Sequence, residues 1–204
     1  MSPRCEQLKS GLKVVLAPCE TESVALGLFV RSGSRHEDDA HAGISHLIEH
    51  MLFKGTEKLS AVEITRAIEG RGGMFNAYTS EETTCFFVHI ADAYLKESLE
   101  ILIDMFRNAK LDAKEFAKEK AVVIEEIKMY ADEPDSVAME NLQACLFPKH
   151  PLGRPVAGSE KSLLPLTNGD LRKWIKDHYR PENTILVAVG HFDEREVLKM
   201  AEGL

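Results

Sequence analysis

The sequence predicts an α+β chain in which a mixed, largely antiparallel sheet is covered by helices. Three observations carry that expectation. Short β-rich runs are interspersed with amphipathic stretches, without the strict strand–helix–strand rhythm of a parallel sheet. Residues 74–79 and 83–90 are β-rich and flank the polar run Ser80-Glu81-Glu82, as in an antiparallel pair. Helix-start signals recur, in which a small polar residue is followed three positions later by Glu.

Taken in order, residues 12–16 and 24–30 read as strands, the second alternating and stopping at Gly33. A helix follows over about residues 42–55, stopped by Gly55, which tolerates the left-handed backbone of a helix end. Ser60 with Glu63 opens a second helix, and Gly72-Gly73 closes it. After the strand pair comes an amphipathic helix over 91–107. Asp112 with Glu115 then caps a long helix running to about 131, before Asp132-Glu133-Pro134. A shorter helix covers 136–146, and a Pro- and Gly-rich loop covers 150–155. A helix over 170–179 leads into a strand over 183–189, and Asp193 starts a last helix toward Leu204. No repeat or low-complexity segment interrupts the chain, so residues 1–204 are expected to form a single domain.

Composition narrows the function classes. A length of 204 residues is enough to bury a sizeable core. The net charge of −8 gives a nucleic-acid partner no electrostatic support. No apolar run reaches membrane-spanning length and the first residues lack a leader-like apolar segment, so no membrane partner and a cytoplasmic location are expected. Cys5, Cys19, Cys85 and Cys145 show no C-x-x-C spacing and read as reduced, buried thiols.

The chemistry concentrates in the run from Gly43 to Thr56, where His46, Glu49 and His50 spell H-x-x-E-H. Residues four apart share a helix face, so both imidazoles can turn toward one ion. Advancing about 100° per residue clusters Ile44, Leu47, Ile48, Met51 and Leu52 on one side, with His46, Glu49 and His50 opposite. The core holds one face and leaves the other free. Two imidazoles at this spacing suit Zn²⁺, and a carboxylate beside them is what metal-assisted hydrolysis needs as a general base. The order inverts H-E-x-x-H, and the inverted form is a zinc-peptidase signature.

Two histidines leave the ion short of a third protein ligand. On the long helix, Phe116, Val123, Ile124, Ile127 and Tyr130 form the expected buried stripe. Glu119 and Glu126, seven residues apart, stack along its margin, while Glu125 faces away. Periodicity therefore selects Glu119 and Glu126 as inward carboxylates, with solvated rim charges as the other reading.

With these residues in place, the chain resembles the N-terminal half of the pitrilysin, insulysin and mitochondrial processing peptidase family. The family pattern places a glutamate ligand 76 residues beyond the second motif His, which is Glu126, and a supporting glutamate seven residues earlier, which is Glu119. Further matches are Gly33-Ser34-Arg35, Asn76-Ala77-Tyr78-Thr79, Asp132-x-Pro134, His150-Pro-Leu-Gly153 and Tyr179-x-Pro181-x-Asn183, in family order over nearly all of residues 5–204. The resemblance implies a zinc-dependent endopeptidase with one Zn²⁺ per chain, held by His46, His50 and Glu126. Glu49 would be the general base, and Glu119 would support catalysis by orienting a ligand His. Asn76 and Ala77 would hold a peptide substrate as an added strand. Cys85 and His89 are expected to pack, and His150 to hydrogen-bond within its loop. Family members join two homologous halves, the second supplying an Arg and a Tyr to the oxyanion. The chain is thus expected to need a homologous C-terminal half or second subunit, with a homodimer as a substitute, and to be weakly active alone. The competing classes are a non-catalytic peptide-binding member, which would lose ligands or base, and a zinc lyase acting on a small thioether, which would want a reactive Cys near the metal.

Overall fold

The computed structural model describes residues 2–204. Its strands are β1 (Arg4–Gln7), β2 (Lys13–Pro18), β3 (Ser23–Val30), β4 (Met74–Thr79), β5 (Thr84–Ala91) and β6 (Thr184–Gly190). Its helices are α1 (Ile44–Leu52), α2 (Ala61–Ile68), α3 (Leu95–Asn108), α4 (Ala113–Ala131), α5 (Pro134–Leu146), α6 (Glu160–Leu163), α7 (Asn168–His178) and α8 (Glu194–Ala201). The strands form one sheet in the order β1-β2-β6-β3-β5-β4. Among the described residues only the β2–β6 pair is parallel, so the sheet is mixed and largely antiparallel, as predicted.

Alternation along the strands decides which face the helices cover. Val24, Leu26, Leu28 and Val30 of β3 are buried, and so are Val88 and Ile90 of β5 and Leu186 of β6. They meet Ile44, Leu47, Ile48, Met51 and Leu52 of α1, the apolar stripe of that helix, in a single core. The opposite face of the sheet carries half-buried Phe29 and Phe87 and exposed Ala25 and His89. Two features aim the site. Strand β4 is the last of the sheet and pairs only with β5, and α1 lies against both β4 and α4.

Several expectations need correction. The motif helix is shorter than 42–55 because Gly43 adopts φ 93 at its start and the chain turns after Leu52. Gly55, with φ 109, lies beyond that end in an isolated bridge to Ser60. Helix α3 begins only at Leu95, after a 3-10 turn over Asp92–Tyr94. Helix α5 starts at Pro134, which needs no N–H partner in a first turn. Strand β1 and helix α6, each of four residues, escape the sequence reading because both are too short to show a period. Of the four cysteines only Cys85 is buried, whereas Cys5, Cys19 and Cys145 are exposed and all four are free. A strand or helix context alone does not bury a residue on its outer face. His89 is exposed toward the end of β5, although Cys85, four residues earlier on the same face of that strand, is buried. His150 is the loop hydrogen-bonder expected, accepting from Leu152 N at 3.2 Å. Among the described residues, no helix is long and apolar enough to cross a membrane.

Candidate metal centre

Helices α1 and α4 cross so that the polar face of one meets the margin of the other. His46 and His50 turn Nε2 toward Glu126, at 3.9 and 3.4 Å from its Oε2. One ligand atom from each of the three falls within 4.8 Å of the others. Ligand bonds of about 2.0–2.1 Å around a tetrahedral ion place neighbouring donors roughly 3.3 Å apart. The set therefore fits a single small ion with nitrogen and oxygen ligands. Burial, then the nearby His50, push the His46 imidazole down to about 4, against the pull of Glu126. A neutral imidazole with a free lone pair is the form a metal needs. The carboxylate of Glu125, one residue from Glu126, is exposed and pairs with Lys128 instead.

The two imidazoles are held differently. His50 Nδ1 is 3.2 Å from Glu119 Oε2, so with its proton on Nδ1 it donates to Glu119 and presents Nε2. Glu119 is only 6% exposed, and its other oxygen takes Lys54 Nζ at 2.7 Å. A buried carboxylate is costly unless paired. Here it has a cation on one side and an imidazole N–H on the other. Among the described residues His46 Nδ1, by contrast, is buried without a hydrogen-bond partner, so no carboxylate holds that ring as Glu119 holds His50.

Glu49 lies on the same face of α1 but bonds elsewhere. Thr79 Oγ1, at the end of β4, donates to Glu49 Oε2. Burial raises the Glu49 carboxyl, with Thr79 and His50 opposing and Glu126 adding to the rise. A carboxylate with a raised pKa is a better proton acceptor near neutral pH.

These groups open into a cleft of about 410 Å³ walled by Ala77, Tyr78 and Thr79 of β4, Tyr130 of α4, Gln143 of α5, and Pro155 to Ala157. Tyr130, expected in the buried stripe, is 38% exposed and stands at this cleft, because the stripe leaves the core before the helix ends. Ala77 is in the wall. Asn76 is on the exposed side of the strand, its Oδ1 accepting from Ala77 N at 2.8 Å. Among the described residues, a larger cleft of about 570 Å³ by Lys58, Asp104 and Arg107 assembles no metal-binding set, so chemistry and not size selects the site.

Sequence reasoning missed Lys54 and the role of Thr79. Both had a signal: Lys54 follows His50 by four residues, in the turn just past the end of α1, and Thr79 is two residues after Ala77 on the same face of the strand.

The chain is similar to several known proteins. A family model described as insulinase (peptidase family M16) matches residues 13–160, and one described as the peptidase M16 inactive domain matches 165–204. An uncharacterized zinc protease of Bacillus subtilis is 39% identical over 187 residues, covering 91% of this chain and 46% of its own. A probable mitochondrial-processing peptidase subunit beta of Arabidopsis thaliana is 31% identical, covering 98% of this chain and 38% of its own. A protease from Helicobacter pylori has a similar structure, with a TM-score of 0.93 at 29% identity over 98% of this chain and 49% of that one. Pitrilysin superimposes with a TM-score of 0.86 at 24% identity over 98% of this chain and 22% of that one, a likeness of fold. The chain spans about half the length, or less, of the curated relatives it matches.

Proposed function

The chain belongs to the insulinase family of zinc peptidases, peptidase family M16, and we propose that it forms the metal-binding half of a zinc-dependent endopeptidase acting on short or unfolded peptides. The observation that carries this reading is the convergence of His46, His50 and Glu126 on one point, with the Glu49 carboxylate beside them. His46, His50 and Glu126 would hold one Zn²⁺. The ion, when bound, supplies a Lewis acid that polarises a peptide carbonyl and acidifies water.

The remaining roles belong to the chain itself. Thr79 occupies Glu49 Oε2, leaving Oε1 free to take a proton from water and return it to the leaving amine. Glu119, anchored by Lys54, orients His50 and is a positioning residue, without contact to substrate. A peptide would run along the free edge of β4 as an added strand. Asn76 Oδ1, which engages the Ala77 N–H, would yield that donor to the incoming backbone.

We assign residues 1–204 to one N-terminal peptidase domain, completed by a homologous second half or subunit that closes the cleft. Coverage of about half of the relatives' length supports that assignment. The match to the inactive-domain model covers residues 165–204, which hold none of the site residues, so it does not favour a non-catalytic reading. The test is zinc stoichiometry together with cleavage of a quenched, unstructured peptide, with and without a separately expressed homologous half. One zinc per chain and cleavage that rises sharply when the half is added are expected. No zinc, or no cleavage in any combination, would overturn the reading.

A further inference from the structure

Helix α1 starts without a cap of its own. Its N-cap is Gly43, which has no side chain to accept from the first turn. Helix starts leave four N–H groups without intrahelical partners. Ile44 N donates to His41 O at 3.0 Å. Two others are taken from a distance. Glu37, six residues before Gly43, accepts from Gly43 N through Oε2 and from Ser45 N through Oε1, both at 2.8 Å. The residue is only 4% exposed.

Such burial is costly for a carboxylate, and it raises the Glu37 carboxyl. The two N–H bonds and Arg154 work against that cost. Arg154 donates to Glu37 O and Ser34 O and pairs with Asp39, tying Glu37 to the segment that follows it. That segment, Pro155 to Ala157, is also a wall of the metal-site cleft. A side chain at Gly43 would lie 2.5 Å from Ala157 O, so helix start and cleft wall are in close contact. One buried carboxylate thus grips the helix on both sides of Ile44, and Ser45 is the residue before His46.

We propose that Glu37, backed by Arg154, is a positioning residue of the metal centre. Its two oxygens fix the rotation and height of α1 against the cleft wall, so that His46 and His50 meet Glu126 on the facing helix. This rests on the reading of those three residues as a metal site. Ligand sets tolerate errors of only about 0.5 Å and 10–20°. A first turn held through two N–H groups meets that demand; one left to water does not.

Glu37→Gln is the direct test, because the amide keeps the shape but sets an NH2 against a backbone N–H. Zinc affinity of the 204-residue chain would be measured by chelator competition and the Co²⁺-substituted chain by visible absorption. Glu63→Gln, in the cap of the site-free helix α2, is the control. We expect Glu37→Gln to weaken zinc by about tenfold, the low end of the range for groups that orient ligands, and to change the cobalt spectrum. Glu63→Gln should lower Tm and leave both readouts at the wild-type value. If Glu37→Gln does not fold, Arg154→Met gives the same two readouts with the carboxylate intact. Wild-type zinc affinity and cobalt spectrum in the folded variant would overturn this inference alone. Absence of zinc binding in the wild type would overturn the metal reading and this inference with it.

Discussion

Helices α1 and α2 are neighbours in sequence and similar in length, yet they are started by opposite means. Helix α2 caps itself: Ser60 Oγ accepts from Glu63 N, and Glu63 reaches back to Ser60 N at 2.8 Å. Every partner lies within four residues. Helix α1 opens on glycine and borrows its cap from Glu37 in the preceding loop. Helix α2 carries no site residue, and α1 carries His46, Glu49 and His50. A local cap fixes where a helix begins but leaves it free to move as a unit. A remote cap also fixes the helix relative to the rest of the fold, which a ligand-bearing helix needs.

The contrast is largest in turnover. Glu49→Gln keeps shape but cannot accept a proton. In an assembly with the homologous half, it should lower peptide cleavage by about 10² to 10⁴, the usual worth of a general base. Zinc stoichiometry, measured on the same sample, should stay at one per chain. Glu63→Gln should leave cleavage unchanged. Near wild-type turnover in Glu49→Gln would remove Glu49 from the mechanism.

Next come the two buried stripes. Ile48 of α1 and Ile64 of α2 are both inaccessible, so either change to Ala should destabilise by about 2–5 kcal/mol in denaturant unfolding. Only Ile48→Ala should also weaken zinc, because the cavity it leaves lies under the residues that hold the metal. Equal zinc affinity in the two folded variants would mean that α1 is not held by its packing.

What the sequence disclosed follows the same division. The box at Ser60 and Glu63 and the cap at Asp112 were legible because their partners lie two or three residues apart, and the strand pair because it closes on a short turn at Ser80 and Thr83. The face argument separating Glu119 and Glu126 from Glu125 also held, since a helix period is a local property. It gave the side of the helix but not the depth, which is why Tyr130 was misplaced into the core. The cap from Glu37 onto Gly43 and Ser45 crosses an irregular loop and carries no period. Strand β1 is polar and short, and exists only because β2 offers an edge to pair with. Contacts fixed by tertiary structure leave no repeat in the sequence to read.

A smaller effect isolates the local cap. Ser60→Ala removes the hydroxyl that accepts Glu63 N, and should cost about 1 kcal/mol in thermal or denaturant unfolding. Zinc affinity should not change. A loss of zinc affinity would show that α2 is coupled to the site after all, and would remove it as the reference helix.

The smallest effect is in proton binding, where the two capping carboxylates should move in opposite directions from the ordinary value of 4.5. Glu63 is held below it, first by the hydrogen bond from Ser60 N. Glu37 is held above it, with burial as the first cause. A carboxyl that binds protons more weakly in the folded state adds stability above pH 4.5, and that stability is lost as pH falls through its folded value. One that binds protons more tightly when folded adds stability below pH 4.5, which is lost as pH rises through its folded value. Acidification from neutrality should therefore weaken the cap of α2 while relieving the burial cost under α1. Carboxyl-carbon NMR titration of the folded chain reads both groups in one experiment. Glu63 should have its midpoint below 4.5 and Glu37 above it. A Glu37 midpoint at or below that of Glu63 would mean that the N–H groups of Gly43 and Ser45, with Arg154, outweigh desolvation. The remote cap would then be the tighter of the two, and Glu37→Gln should cost correspondingly more stability at neutral pH.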